Sequence, residues 1–432
     1  MGKTTLLQKF IDGKNALYFV ATEESERSNL KQFQRISYEK TGLNILKPEN
    51  ELSWYDIFDV LSSKNEKMII VIDEYQYLTI GNKAISSVIQ KIWDEMLSKR
   101  NVMLILCGSV ISMMYSETLN YTSPLYGRRT VQINLKPLKF EDYRLFFENK
   151  RTEEIVEFYS VTGGVPRYVE IFDRKKSLKE NMIEHILDKN GFLYEEPYFL
   201  LGKQFKEIGT YFSVLKTISS GSHKLSEIAT KMGVGQNSLG YYLSALSKMD
   251  LIYRDVPVTE RNPEKSKKGL YFIKDNFISF WFKFVYPNRS FLEIGNTEYT
   301  LKKIESDFIE KHVSFVYEKL CREYATKLAS NGYFNGKITK IGRWWNKNTE
   351  IDIVGVDEES KAKLFGECKY TSKPVGLNIF FELLNKVEKN FKNVDDSEFV
   401  ICSKSGFSRE LIDYAKRNKN VYLFNLFNPV SA

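Results

Sequence analysis

Two rhythms of apolar residues alternate along the first third of the chain. Short runs rich in β-branched and aromatic residues, Ala16-Leu-Tyr-Phe-Val-Ala21, Met68-Ile-Ile-Val-Ile72, Val102-Met-Leu-Ile-Leu-Cys107 and Thr130-Val-Gln-Ile-Asn134, are separated by longer stretches of helical periodicity. The spacing predicts strands joined by helices, hence an α/β fold built on a parallel sheet. The middle two runs are apolar throughout, as strands covered on both faces should be. From about Phe205 to Ile273 the pattern changes to short helices followed by a hairpin, and from about Asp307 onward it returns to mixed α and β. The domain boundaries read from these changes are 1–204, 205–275 and 276–432.

Composition narrows this picture only in part. A chain of 432 residues is too long for one ordinary core and implies two or three domains. Its formal charge of +8 permits a nucleic-acid partner without requiring one. Cys107, Cys321, Cys368 and Cys402 are far apart and form no C-x-x-C pair, which argues against a zinc site and a disulfide framework and for a reducing, cytoplasmic compartment. No apolar run approaches the roughly 20 residues that span a bilayer, so no membrane partner is expected. The most apolar stretch, Phe277 to Tyr286, is broken by Lys283 and reads as core packing, because its aromatics are too dense to leave exposed.

The chemistry begins at the N-terminus. Met1-Gly-Lys-Thr-Thr5 has the second half of a phosphate-binding loop, in which Gly2 gives a backbone N–H, Lys3 reaches the outer phosphates and the Thr4 hydroxyl holds magnesium, with Thr5 beside it. The first half of the loop and its strand are expected upstream, in an extended reading frame, and the chain as it stands is expected to turn ATP over weakly or not at all. The strand at Met68 ends in Asp73 and Glu74, an acid to hold the magnesium and a second one to orient water for attack on the γ-phosphate. Gly108-Ser109 places a small hydroxyl at the end of the next strand. Arg128 and Arg129 are candidates for a charge acting on a phosphate of the same or a neighbouring subunit, surface solvation being the alternative. Gly163-Gly-Val-Pro-Arg-Tyr168 fixes Arg167 just inside a helix start.

Together these segments resemble the archaeal-type AAA+ ATPase family of P-loop NTPases. The resemblance implies that Asp73 and Glu74 form the Walker B pair, that Ser109 is the first sensor and Arg167 the second, and that residues 1–204 are an ATPase domain with a helical lid. Phe277 to Arg289 resembles the segment that leads, in the same family, into a C-terminal domain of unknown function.

In the middle region, Leu225 to Met232, Gly233-Val-Gly235 and Asn237 to Lys248 have helix-turn-helix spacing and are followed by two strands around a charged loop. The module resembles a winged helix, with Gln236, Asn237 and Ser238 starting the recognition helix and Lys265, Lys267 and Lys268 on the wing. It either contacts DNA or serves as a rigid connector. In the last region, Thr349-Glu-Ile-Asp-Ile-Val-Gly-Val356 and Ala362-Lys-Leu-Phe-Gly-Glu-Cys-Lys369 flank a turn. A hairpin centred between Glu359 and Ser360 sets Asp352 opposite Glu367 and Glu350 opposite Lys369. Neighbouring carboxylates are stable when a cation lies between them, and magnesium there polarises a phosphodiester and activates water. The arrangement resembles the PD-(D/E)XK nuclease fold, which implies Asp352, Glu367 and Lys369 as catalytic residues and Glu318, on an earlier helix, as a further ligand beside Asp352 and Glu367. The proline of that motif is replaced by Ile351, and Arg343-Trp-Trp345 either grips a strand of nucleic acid or packs.

The expected protein is an ATP- and magnesium-dependent ATPase coupled to a winged-helix DNA-binding module and a nuclease-like domain, with a protein partner or homo-oligomer as further possibilities. The alternative is a nucleotide-switched DNA-binding or signalling regulator whose nuclease-like domain is an inactive scaffold.

Overall fold

The computed structural model describes residues 2–64 and 66–430. The chain divides into two compact units, Met1–Pro137 with Leu200–Lys206, and Leu138–Phe199 with Glu207–Ala432. Among the described residues no helix is long and apolar enough to cross a membrane.

The first unit is built on three parallel strands in the order β1-β2-β3: β1 (Ala16–Val20), β2 (Met68–Asp73) and β3 (Val102–Leu106). β2 lies between the other two and is buried at every position, which accounts for its unbroken apolar run. The helix Glu26–Thr41 starts at Ser25, whose hydroxyl accepts the Ser28 N–H at 3.2 Å, and ends at Gly42 in the left-handed region. A reciprocal box between Ser53 and Asp56 starts the helix Trp54–Ser62. Both helices deliver aromatics to one cluster, in which the Phe33 ring centroid lies 5.3 Å from Phe19, 5.2 Å from Trp54 and 5.3 Å from Phe58. The N-terminal helix, Lys3–Ile11, buries none of its residues, and Leu6 and Phe10 are exposed.

The strand expected at Thr130–Asn134 does not form. Residues 131–139 are irregular, and Val131 and Ile133 are 75% and 77% exposed. An extended segment becomes a strand only when a neighbour takes its backbone hydrogen bonds. Among the described residues β3 pairs with β2 alone, and no strand lies alongside 130–134.

The second unit has three parts. Residues 138–199, which fall within the 1–204 expected as the ATPase domain with its lid, are hydrogen-bonded within this unit: Tyr370 Oη donates to the Glu153 carbonyl at 3.0 Å, Asn276 to that of Tyr159 at 3.1 Å, and the His312 ring meets that of Ser160 at 2.7 Å. The helices Leu225–Met232 and Gln236–Lys248 are joined through Gly233 at φ 66°, a conformation that glycine adopts without strain, and lead into an antiparallel hairpin of β4 (Ile252–Asp255) and β5 (Leu270–Ile273). The aromatic stretch after β5 is core, with Phe277, Phe280, Trp281, Phe282 and Phe284 buried and the Trp281 indole donating to the Tyr194 carbonyl at 2.9 Å.

The last part is a six-stranded sheet in the order β11-β10-β9-β8-β7-β6. β6 (Lys340–Trp345), β7 (Glu350–Val356) and β8 (Ala362–Lys369) form an antiparallel meander, and β8, β9 (Glu398–Ser403) and β10 (Val421–Asn425) run parallel, with β11 (Asn428–Pro429) antiparallel at the edge. The parallel connections carry the helices Leu377–Asn390 and Arg409–Arg417, whose Leu383, Val387 and Leu411 pack with Phe365, Phe399 and Ile401. The helix Ser314–Ser330 precedes the sheet. Ile353 pairs with Gly366 and Val354 with Phe365, the register expected of a hairpin centred between Glu359 and Ser360; it shifts only beside the turn, at Val356 and Ala362, where Ser360 has a φ of 63°.

Replacing Phe33 by alanine leaves a cavity among three other rings, so Phe33→Ala is expected to lower the stability of the first unit by about 3–5 kcal/mol in urea melts, and a loss under about 1 kcal/mol contradicts this packing.

Candidate functional sites

In the first unit the end of β2 gathers the polar residues. Parallel register sets Val20 beside Asp73, so Tyr18, two residues earlier on β1, reaches the same end of the sheet. One Asp73 carboxylate oxygen accepts the Thr4 hydroxyl at 2.9 Å and the Tyr18 hydroxyl at 2.5 Å, and the other accepts the Glu74 N–H at 2.9 Å. Burial acts to raise the Asp73 pKa, but the bonds from Tyr18, Thr4 and Glu74 outweigh it and hold the carboxyl below the usual carboxylate range. The same contact, added to burial, pushes the Tyr18 hydroxyl up, and burial beside Asp73 raises the Cys107 thiol to about 12.

Glu74 has a φ of 53°, costly for a residue with a Cβ. This turn brings its carboxylate to Ser109, whose hydroxyl donates to it at 2.7 Å and whose N–H donates at 3.3 Å. Gln76 donates to both Glu74 and Ser109. Thr4, Asp73, Glu74 and Ser109 therefore converge, with Gly2 at φ 69° and half-buried Lys3 opening the N-terminal helix and Thr5 exposed beside them. Arg128 turns elsewhere, its Nη2 2.8 Å from Asp94, and Arg129 is exposed. Arg167 belongs to the second unit, 3.8 Å from Glu170 and with its guanidinium 5.2 Å from the centre of the Phe192 ring. Tyr18 and Gln76 escaped the sequence reading; the strand period places Tyr18 at the right end of β1, but nothing in the sequence marks Gln76.

The second cluster joins three elements of the C-terminal sheet. Glu318 and Arg322 lie one turn apart on the helix Ser314–Ser330, Asp352 is on β7, and Glu367 and Lys369 are on β8. The Asp352 carboxylate accepts the Cys368 N–H at 2.9 Å, which ties β7 to β8 one residue beyond their last paired row. Glu367, buried to 6% exposure, accepts from the Lys369 ammonium at 2.7 Å and from Lys386, on the helix Leu377–Asn390, at 3.1 Å. Arg322 lies 3.8 Å from the Glu318 carboxylate and donates to the Asp352 carbonyl at 3.0 Å. Burial, and after it the charge of Asp352, pushes Glu318 above the carboxylate range; burial, and after it Glu367, does the same to Asp352. Lys369 is raised despite burial because Glu367 bonds it, so it stays protonated.

The pairing expected between Glu350 and Lys369 is absent. β6 flanks β7 at that end, with Trp345 opposite Glu350, and the Glu350 carboxylate bonds Arg343 while Lys369 turns to Glu367. Arg343 is buried against the β4–β5 hairpin, 3.9 Å from Asp255 and with its guanidinium 5.1 Å from the Phe272 ring centre, while the Trp344 ring packs on Phe391 at 4.7 Å and the Trp345 ring centre lies 5.7 Å from the Arg343 guanidinium. Arg322 was legible as the helical neighbour of Glu318 four residues on, whereas Lys386 carries no sequence signal. On the helix pair, Gln236, Asn237 and Ser238 are exposed, as are Lys265 and Lys267 on the hairpin loop; Lys268 pairs with Glu260 at 2.7 Å.

Residues 1–172 match the family described as an ATPase domain predominantly from Archaea, and residues 281–390 match a family of archaeal and bacterial proteins of unknown function. The chain is 33% identical over 428 residues to the uncharacterised protein MJECL04 of Methanocaldococcus jannaschii, covering 94% of this chain and 93% of that one. A second protein of that organism, MJ0424, is 38% identical over 90 residues, 20% of this chain and 86% of its own length. Among solved structures, the Walker-type ATPase paby2304 of Pyrococcus abyssi shares the fold at a TM-score of 0.50 and 21% identity, over 65% of this chain and 88% of that one. The chain therefore belongs to the same family as MJECL04, with residues 1–172 matching the archaeal ATPase domain and residues 281–390 matching the domain of unknown function.

Proposed function

We propose that the protein is an ATP-switched DNA-processing enzyme, in which the ATPase unit controls a winged-helix module at residues 225–273 and a nuclease-like centre at Glu318, Asp352, Glu367 and Lys369. The observation that carries the reading is the convergence of three carboxylates and a lysine from one helix and two adjacent strands, with Glu318 held above the carboxylate range by burial and the charge of Asp352, and Asp352 by burial and the charge of Glu367. Acids placed this way are stable when protonated or when a divalent cation takes the place of the protons, so the residues present fit magnesium. Asp352, Glu367 and Glu318 would hold it. A bound magnesium supplies charge neutralisation at a phosphodiester and lowers the pKa of water. Lys369, kept protonated by Glu367, orients that carboxylate and stabilises charge developing on the phosphate, acting as a fixed cation and not as a proton acceptor.

In the ATPase unit the contact of Thr4 with ionised Asp73 fits the magnesium of a bound nucleotide, with Gly2, Lys3 and Thr5 on the phosphates. Glu74 would hold the attacking water, and Ser109, bonded to Glu74, would face the γ-phosphate. Exposed Gln236, Asn237, Ser238, Lys265 and Lys267 support DNA contact by the winged helix. One feature favours the second reading, a nucleotide-switched regulator with an inactive scaffold: Glu367 is already bonded by two ammonium groups, which compete with a cation.

The two readings separate on supercoiled plasmid with magnesium. Wild type is expected to nick it and Asp352→Ala to lose at least about a hundredfold in rate; equal cutting by both, or none by wild type with bound ATP, leaves the scaffold. Lys3→Ala is expected to weaken binding of a fluorescent ATP analogue with magnesium by at least about tenfold, while unchanged binding removes Lys3 from the site. The raised pKa values of Glu318 and Asp352 also make the folded protein bind more protons than the unfolded chain, so stability falls as pH rises above the ordinary carboxylate range. With chelator present, the melting temperature contributed by this site is expected to fall from about pH 5 to about pH 8, less steeply in Glu318→Gln, and added magnesium to restore it; an identical slope in the variant contradicts the carboxylate crowding.

A further inference from the structure

Three of the chain's 4 cysteines, scattered in sequence, meet at one point of the fold. Cys368 on β8 and Cys402 on β9 are register partners in adjacent parallel strands, and Cys321 comes from the helix Ser314–Ser330. Their sulfurs all lie within 4.8 Å of one another and all three residues are buried. Three sulfurs around one tetrahedral ion at the usual zinc–sulfur distance of about 2.3 Å stand about 3.8 Å apart, so the sulfurs need draw together by no more than about 1 Å. A second polar group points there independently. The Tyr317 side chain is fully buried, its hydroxyl makes no hydrogen bond of ordinary geometry, and after burial the Cys321, Cys402 and Cys368 thiols are what most raise its pKa. A buried hydroxyl without a partner is costly, and a cluster of thiolates around a cation gives it one.

We propose that Cys321, Cys368 and Cys402 bind a thiophilic divalent cation, with the Tyr317 hydroxyl as the fourth polar group of the site. Soft thiolate donors select zinc and its heavier congeners over magnesium, so this ion differs from any cation at the carboxylates. Binding forms three metal–sulfur bonds and releases the three thiol protons to solvent, with no change of oxidation state. The ion ties the helix that carries Glu318 to the strand that carries Glu367 and Lys369, and Cys368 is also the residue whose N–H holds Asp352. It is thus a staple beneath the acid cluster, whether or not that cluster cuts DNA.

The test uses the full chain, reduced and stripped of metal, titrated with Cd2+. The expected result is one ion per chain with sulfur-to-metal charge-transfer absorption, and calorimetry in buffers of different ionisation enthalpy reading three protons released per ion. Cys107→Ala and Asp352→Ala are expected to keep the absorption, and Cys321→Ser and Cys402→Ser each to lower the affinity at least about a hundredfold. Should either serine variant fail to fold, as judged by circular dichroism, the proton count on wild type decides. Absence of the absorption from wild type, its survival in a folded Cys321→Ser variant, its loss in Cys107→Ala, or release of one proton or none overturns the proposal.

Discussion

The C-terminal half of the molecule depends on the pleat of β8. Successive side chains on a strand point to opposite faces, so Glu367 and Lys369 look one way and Cys368, between them, looks the other. On the first side Glu367 meets Lys386 from the helix Leu377–Asn390; on the second Cys368 meets Cys321 from the helix Ser314–Ser330. The backbone N–H of the same cysteine holds Asp352 across the gap where β7 and β8 part. One strand therefore fixes an acid cluster and a thiol cluster at once. A slip of one residue would exchange the two faces and bury charge among thiols.

The site near the N-terminus rests on a comparable device. A fully buried strand ends in an acid, and the residue after it adopts a left-handed conformation that turns a second acid towards Ser109. The two acids are then treated differently. Hydrogen bonds from Tyr18, Thr4 and the Glu74 N–H keep Asp73 ionised despite burial, which suits a group that stays charged beside a cation. At the C-terminal cluster burial and mutual repulsion win instead, and Glu318 and Asp352 are protonated more readily than free carboxylates.

What the sequence made legible follows from the range of each signal. Strands β1, β2 and β3 and the β7–β8 hairpin register are set by local apolar runs and by turn position, and both could be read directly. Thr130–Asn134 has the pattern of a strand but lacks the neighbour that makes one, and a neighbour is not a local property. The distant pairing of Glu350 was misplaced for the same reason, because β6 and not β8 flanks it. Lys386 and the meeting of three cysteines are products of the parallel crossovers: spacing rules seek C-x-x-C pairs, and here topology supplies the proximity.

The central claim is that Glu318, Asp352 and Glu367 form a cation site built to act on a phosphodiester. Anomalous diffraction from crystals of the full chain soaked in Mn2+ tests it most directly. The account predicts a manganese peak bonded to Asp352 and Glu367 carboxylate oxygens, with Glu318 nearby. A map whose only manganese lies at Thr4 and Asp73, with Glu367 still bonded to Lys369 and Lys386, would contradict it.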